Sequence, residues 1–168
     1  MNKAFFLDRD GTINLDTGYV HDPDDVVLLP GVAQSIRRMN EAGFLVLVIS
    51  NQSGVARGYC TMDDVVRVNR RIEELLEKEQ AHIDRFYICP HLKGAAIKEY
   101  DVDCVCRKPK AGLFRQAIRE YDLDVRRCYA CGDRERDVAC LPALGVPEEH
   151  LFVVRKEAGL QDIPVPEE

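Results

Sequence analysis

Short, nearly continuous apolar runs recur along the chain at Ala4 to Asp8, Phe44 to Ser50, Phe86 to Cys89, Cys128 to Gly132 and Leu151 to Val154. Runs of that length predict strands buried on both faces, as in a parallel sheet. Between them the apolar positions change period. Val32, Ile36 and Met39, opened by Pro30-Gly31 and closed by Gly43, make one helical stripe. Val65, Val68, Ile72, Leu75 and Leu76 make a second, with Thr61 as its cap and Asp64 at the reciprocal position. Leu113 or Phe114, Ala117, Ile118 and Tyr121 make a third, and a shorter helix is expected from Asp133 through Leu144. Strands separated by helices at this spacing predict βαβ units, hence a doubly wound, Rossmann-like α/β sheet of parallel strands with helices on both faces. The length fits a single domain over residues 1–168, and the proline-rich, acidic stretch Gln161 to Glu168 reads as a loosely held tail.

Such a sheet binds ligands beyond the carboxyl ends of its strands, and Asp8, Ser50 and Asp133 each fall at such an end. Side chains alternate along a strand, so Asp8 and Asp10 can point into one space. An Asp-Gly turn at the surface would use the same letters. The convergence of polar residues from three strands favours a site instead. Two crowded carboxylates imply either a shared proton or a cation between them, and suit a metal-assisted site with one nucleophilic and one proton-transferring acid. Ser50-Asn51-Gln52-Ser53-Gly54 offers a hydroxyl and turn amides to an anion, although an ordinary loop exit looks similar. Arg107-Lys108-Pro109-Lys110 brings fixed positive charge ahead of the third helix. In Gly132-Asp133-Arg134-Glu135-Arg136-Asp137, the acids at 133 and 137 share a face if a helix begins at Asp133.

Apolar residues make up 46% and charged residues 31% of the chain, which excludes a disordered protein. No apolar run reaches about 18 residues and the N-terminus shows no secretory pattern, so no membrane association and a cytoplasmic location are expected. A net charge of −6 argues against a nucleic-acid partner but leaves room for a small anionic substrate held by local cations. In a reducing compartment the seven cysteines should be thiols or metal ligands. Cys89, His91, Cys104 and Cys106 make a Cys3His set suited to one tetrahedral zinc with no open position, hence a structural zinc loop over residues 89–106; free thiols or disulfides are the alternative. Cys128 and Cys131 lie in a strand pattern and should project to opposite faces as packing residues.

The segments FLDRDGTIN, GYVH, SNQSGVARG, CPH, DCVCRKP and CGDRERD, in this order, resemble the haloacid dehalogenase superfamily of phosphatases. Within it they are similar to the branch of D-glycero-D-manno-heptose 1,7-bisphosphate 7-phosphatases and histidinol-phosphate phosphatases. The resemblance covers nearly the whole chain. It implies that Asp8 attacks phosphorus to form an aspartyl phosphate and that Asp10 serves as general acid and then base. It implies magnesium held by Asp8, the Asp10 carbonyl and Asp133, with Ser50, the Asn51 amide and Lys108 on the transferring phosphoryl group and Asp137 orienting Lys108 or a metal-bound water. For substrate binding it points to Asp16, Thr17, Gly18 and Tyr19, to Ser50, Asn51, Gln52 and Ser53, and to Arg107, Lys108 and Arg134. Arg134 stands where the heptose enzymes usually carry lysine. The expected activity is removal of the C7 phosphate of a heptose bisphosphate, with histidinol phosphate as the alternative substrate. The enzyme is expected to be a monomer, and connections this short leave no room for a large cap domain.

Overall fold

In the computed structural model, which describes residues 1–167, five parallel strands form one sheet. They are β1 (Ala4–Leu7), β2 (Leu45–Asn51), β3 (Arg85–Cys89), β4 (Tyr129–Gly132) and β5 (Leu151–Val153), in the order β3-β2-β1-β4-β5. The chain winds outward from β1 in one direction through β3 and then returns to place β4 on the other side of β1. That reversal makes the β1/β4 boundary the topological switch point, where a doubly wound sheet opens a crevice for ligands. Asp8 and Asp133, the residues that follow β1 and β4, flank it.

Side-chain alternation divides the core between the faces. Phe5 and Leu7 of β1, Val46 and Val48 of β2, and Cys131 of β4 pack with helices α1 (Val32–Glu41) and α3 (Met62–Glu77). Ala4 and Phe6, Leu47 and Ile49, and Ala130 pack on the opposite face with α4 (Gly112–Glu120) and α5 (Leu141–Leu144). Cys128 lies with this second group, so the two cysteines of the Cys-x-x-Cys segment do face opposite ways. Thr61 and Asp64 form the expected capping box: the Thr61 hydroxyl accepts from the Asp64 amide at 3.1 Å and the Asp64 carboxylate from the Thr61 amide at 2.8 Å. No large cap domain interrupts the sheet, and among the described residues no helix is long and apolar enough to cross a membrane.

Three expectations change. A one-turn helix, α2 (Gly54–Arg57), follows β2, because Ser53 and Gly54 turn back at once under the strand end and Gly58 stops the turn at a φ of 82°. The single helix from Asp133 to Leu144 does not form. Arg134 is extended, a 3-10 turn spans Glu135–Asp137, and α5 begins only at Leu141. The reason is local: the Asp137 carboxylate accepts the Arg134 amide at 3.0 Å and folds the segment back on itself. Nor is the tail loose over its described part; the expectation for Glu168 lies outside the described residues. Leu160 and Ile163 are buried in the α1/α3 core with Val165 against them, and Gln161 donates to the Pro30 carbonyl at 2.9 Å. One apolar residue in every two or three was enough to dock a segment that its prolines and acids marked as exposed.

Ile163→Ala is expected to lower the unfolding free energy by about 2–4 kcal/mol, measured by urea denaturation. A change under about 0.5 kcal/mol would show that the tail does not belong to the core.

Candidate active site

The centre of the site is a buried ammonium. Lys108 is 3% exposed, and its Nζ donates to Asp8 Oδ1 at 3.0 Å, Asp137 Oδ1 at 2.7 Å and the Ile49 carbonyl at 2.6 Å, which uses all of its protons. Burial works against the charge, but Asp8 and Asp137 overcome it, so the lysine is held more firmly protonated than usual. The Asn51 side chain fixes the backbone that delivers it: Asn51 Nδ2 donates to the Lys108 carbonyl at 3.1 Å and Asn51 Oδ1 accepts the Lys108 amide at 2.9 Å. The end of β2 is thereby tied to the loop ahead of α4.

Asp8, Asp133 and Asp137 bring a carboxylate oxygen each within 4.8 Å of one another. Asp133 and Asp137 meet through the chain reversal and not along a helix face. Glycines make the closeness possible. A Cβ on Gly11, whose φ is 85°, would stand 2.5 Å from Asp133 Oδ2, and one on Gly132 would collide with the Asp137 side chain. Burial is the main force raising Asp8 to about 7; Lys108 opposes it, while Asp137 and Asp10 add to it. Asp133 is likewise raised by burial, and Asp137 adds to this. Oxygen donors with uncompensated negative charge are what a hard divalent cation requires, and Asp8 with Asp133 fits magnesium. Asp137 is 6% exposed and already accepts from Lys108 and the Arg134 amide, so it supports the site from behind.

Asp10 is the contrasting acid. Burial would raise it, but Arg9 and donors from Gln52 and Asn14 hold it below the ordinary carboxylate range. Asp10 Oδ1 accepts from Arg9 Nε at 3.0 Å and Asn14 Nδ2 at 2.9 Å; Oδ2 accepts from Arg9 Nη2 at 3.2 Å and Gln52 Nε2 at 2.9 Å. Arg9 is fully buried and its Nη1 donates to Asn69 of α3 at 2.9 Å. The sequence reading missed Arg9, Asn14 and Asn69. No local pattern announces the arginine: it follows the end of β1 and folds its Nε and Nη2 onto the Asp10 carboxylate while Nη1 reaches Asn69 of α3.

These residues floor a cleft of about 370 Å³. Of the expected substrate-contacting residues, Asp16, Gly18, Tyr19, Ser50, Asn51, Gln52, Ser53, Arg107, Lys108 and Arg134 line it. Thr17 is exposed and does not. The Gln52 side chain is spent on Asp10 and, at 2.8 Å, on the Ser50 hydroxyl, so it organises the cleft more than it projects into it. Tyr19 packs edge-on against Tyr59 with ring centroids 4.9 Å apart. Two further arginines, Arg57 and Arg136, also line the cleft. Arg107 is held slightly less firmly protonated than usual, first by burial and then by the neighbouring charge of Arg136 and, more weakly, Arg57.

At the edge of β3 a second cluster assembles. Cys89, His91, Cys104 and Cys106 offer ligand atoms within 4.8 Å of one another. Cys89 Sγ lies 3.5 Å from Cys104 Sγ and 3.8 Å from His91 Nδ1, and His91 Nδ1 lies 3.3 Å from Cys106 Sγ. All seven cysteines are free thiols. Burial opposes ionisation of Cys104, but hydrogen bonds from Cys106 and the Arg107 backbone bring it down to about 6; burial and its neighbours push Cys106 up. Thiols this crowded, with one inclined to ionise, fit a soft divalent cation. Arg107 and Lys108 leave the cluster directly into the cleft.

The family model described as Polynucleotide kinase 3 phosphatase matches residues 3–138. A D-glycero-beta-D-manno-heptose-1,7-bisphosphate 7-phosphatase of Haemophilus influenzae is 40% identical over 138 residues, 82% of this chain and 74% of that protein. The crystal structure of D,D-heptose 1.7-bisphosphate phosphatase from B. bronchiseptica, complexed with magnesium and phosphate, superposes with a TM-score of 0.74 at 30% identity over 94% of each chain. A putative HAD-like phosphatase from Mesorhizobium loti superposes with a TM-score of 0.81 at 37% identity, over 86% of this chain and 69% of that one.

A carboxyl whose folded pKa lies above its unfolded value binds its proton more tightly when folded, so its contribution to stability falls as pH rises from about 4 to about 7. Without divalent metal, Asp8→Asn is expected to stabilise the protein by about 2–4 kcal/mol at pH 8 and by little at pH 4, read from urea denaturation. Equal stability changes at both pH values would contradict the raised Asp8.

Proposed function

We infer that this chain, which belongs to the polynucleotide kinase 3 phosphatase family within the haloacid dehalogenase superfamily, is a magnesium-dependent phosphatase that removes the C7 phosphate of D-glycero-D-manno-heptose 1,7-bisphosphate. The observation that carries this is the meeting of Asp8, Asp133, Asp137 and Lys108 at the switch point of the sheet. The heptose substrate is supported by the named activity of the relatives, which does not favour histidinol phosphate. The acidic net charge supports a sugar over a polynucleotide despite the family's description.

In this reading Lys108 fixes one oxygen of Asp8 and leaves the other to attack phosphorus. The bond from phosphorus to the C7 oxygen breaks as the new acyl phosphate bond forms. Asp10 gives its proton to the departing alkoxide. It rests ionised among its donors; an incoming phosphate dianion raises its proton affinity, so it takes a proton from solvent as substrate binds and returns one to solvent after hydrolysis. Once the alcohol has left, the same carboxylate takes a proton from water, whose oxygen attacks phosphorus and frees the Asp8 carboxylate and inorganic phosphate. Magnesium on Asp8, the Asp10 carbonyl and Asp133 would offset the charge of the phosphoryl oxygens. Ser50 and the Asn51 amide face those oxygens, with Lys108 adding positive charge. Asp16, Gly18, Tyr19, Arg107 and Arg134 hold the rest of the sugar bisphosphate. Zinc on Cys89, His91, Cys104 and Cys106 would set the angle of Arg107 and Lys108 without touching the chemistry.

Phosphate release should be rapid from heptose 1,7-bisphosphate, leave the 1-phosphate behind and be slow from histidinol phosphate, with Asp8→Asn at least about a thousandfold slower. Turnover of histidinol phosphate alone, or an Asp8→Asn enzyme of ordinary rate, would contradict the reading. Chelation followed by magnesium alone should leave activity low, and zinc added back should restore it; full recovery on magnesium alone would remove zinc from the account.

A further inference from the structure

Arg9, Arg37, Arg67, Arg71, Arg85 and Arg126 each pair with a carboxylate. Several other arginines make no ion pair among the described residues, but four of these, Arg57, Arg107, Arg134 and Arg136, line one cleft. In a chain of net charge −6, guanidinium groups gathered without counter-charge need an explanation. The cleft's own carboxylates do not supply one. Asp8 and Asp137 are bound to Lys108, Asp10 to Arg9, Asp16 faces Lys156 at 3.4 Å, and Asp133 belongs with Asp8 to the carboxylate cluster that fits a divalent cation. Beside them, Nη1 of Arg107 is buried with no hydrogen-bond partner. A buried donor in that state costs free energy until something outside the chain accepts from it.

We propose that Arg57 and Arg136 join Arg107 in an anion subsite for the phosphate that is not hydrolysed, and that they determine the preference for doubly over singly phosphorylated sugars. This rests on the sugar phosphatase reading but adds residues to it. The three arginines come from separate pieces of chain: the end of α2, the loop leaving the thiol cluster, and the turn after β4. Each is on a short, fixed segment. The Arg57 Nε reaches the Ser53 hydroxyl at 3.4 Å and its guanidinium lies 5.8 Å from the Tyr19 ring centre, which orients the group while leaving its outer N–H groups free. Arg136 belongs to the turn that Asp137 closes onto Arg134. A planar fork of donors matches phosphate oxygens better than an ammonium does. Lys108, the lysine among the cleft-lining residues, is committed to the reacting end, so a second phosphate would meet guanidinium groups.

The test is inhibition of p-nitrophenyl phosphate hydrolysis by the magnesium- and zinc-loaded enzyme, comparing glucose 1,6-bisphosphate with glucose 6-phosphate. The wild-type enzyme should bind the bisphosphate at least about tenfold more tightly. Arg57→Gln and Arg136→Gln should each reduce that ratio severalfold, and the lysine variants should recover part of it. Arg57 is exposed, so its replacement does not threaten the fold. A wild-type ratio near one, variants that keep the wild-type ratio, or variants that weaken both sugars equally would overturn the proposal. Failure to hydrolyse heptose bisphosphate, with the arginine-dependent ratio intact, would instead overturn the substrate reading alone.

Discussion

The ammonium of Lys108, shared between Asp8 and Asp137, is the interaction on which the rest of this structure turns. Removing an ionised lysine from water costs several kcal/mol unless its charge and all its protons are matched. Here two carboxylates and the Ile49 carbonyl match them, at the tips of β1 and β2 and in the turn after β4. Satisfying one side chain therefore requires three separated segments to arrive together. The loop that carries Lys108 is the fourth: Asn51 clamps its backbone to β2, and the thiol cluster lies at its other side.

The arrangement leaves a surplus of negative charge facing the cleft. Asp8 is raised to about 7 although it touches Lys108, because burial and the neighbouring Asp137 and Asp10 outweigh the lysine. A divalent cation held by Asp8 and Asp133 would offset that charge, and in the proposed reaction it would let Asp8 stay ionised as the nucleophile. Asp10, a few atoms away, has the opposite environment, since Arg9, Asn14 and Gln52 satisfy both of its oxygens. Two acids of one motif are thus driven apart in proton affinity by what surrounds them, the condition for dividing nucleophilic and proton-transfer work between them.

Much of this was legible in the residues themselves. Continuous apolar runs located every strand to within about two residues, because buried parallel strands leave no other pattern, and their polar ends marked Asp8, Ser50 and Asp133. The Cys3His set was visible because its ligands are close in sequence. What escaped were features made by tertiary contact. Arg9 meets Asn69 across 60 positions, whereas the approach of Lys108 to Asp8 across 100 positions was implied by the family resemblance. The segment after Asp133 has helical spacing, yet a side chain capping its own backbone overrode it. The tail carried too few apolar residues for a periodic signal, although Leu160 and Ile163 sufficed to dock it.

If the lysine-centred triad exists to poise the Asp8 carboxylate against phosphorus, the covalent adduct is its direct product. Rapid acid quenching of the enzyme mixed with substrate labelled in the 7-phosphate, followed by peptide mapping, should place the label on Asp8 within one turnover. Label on another residue, or phosphate released in the first turnover with no protein-bound label at any quench time, would contradict the account.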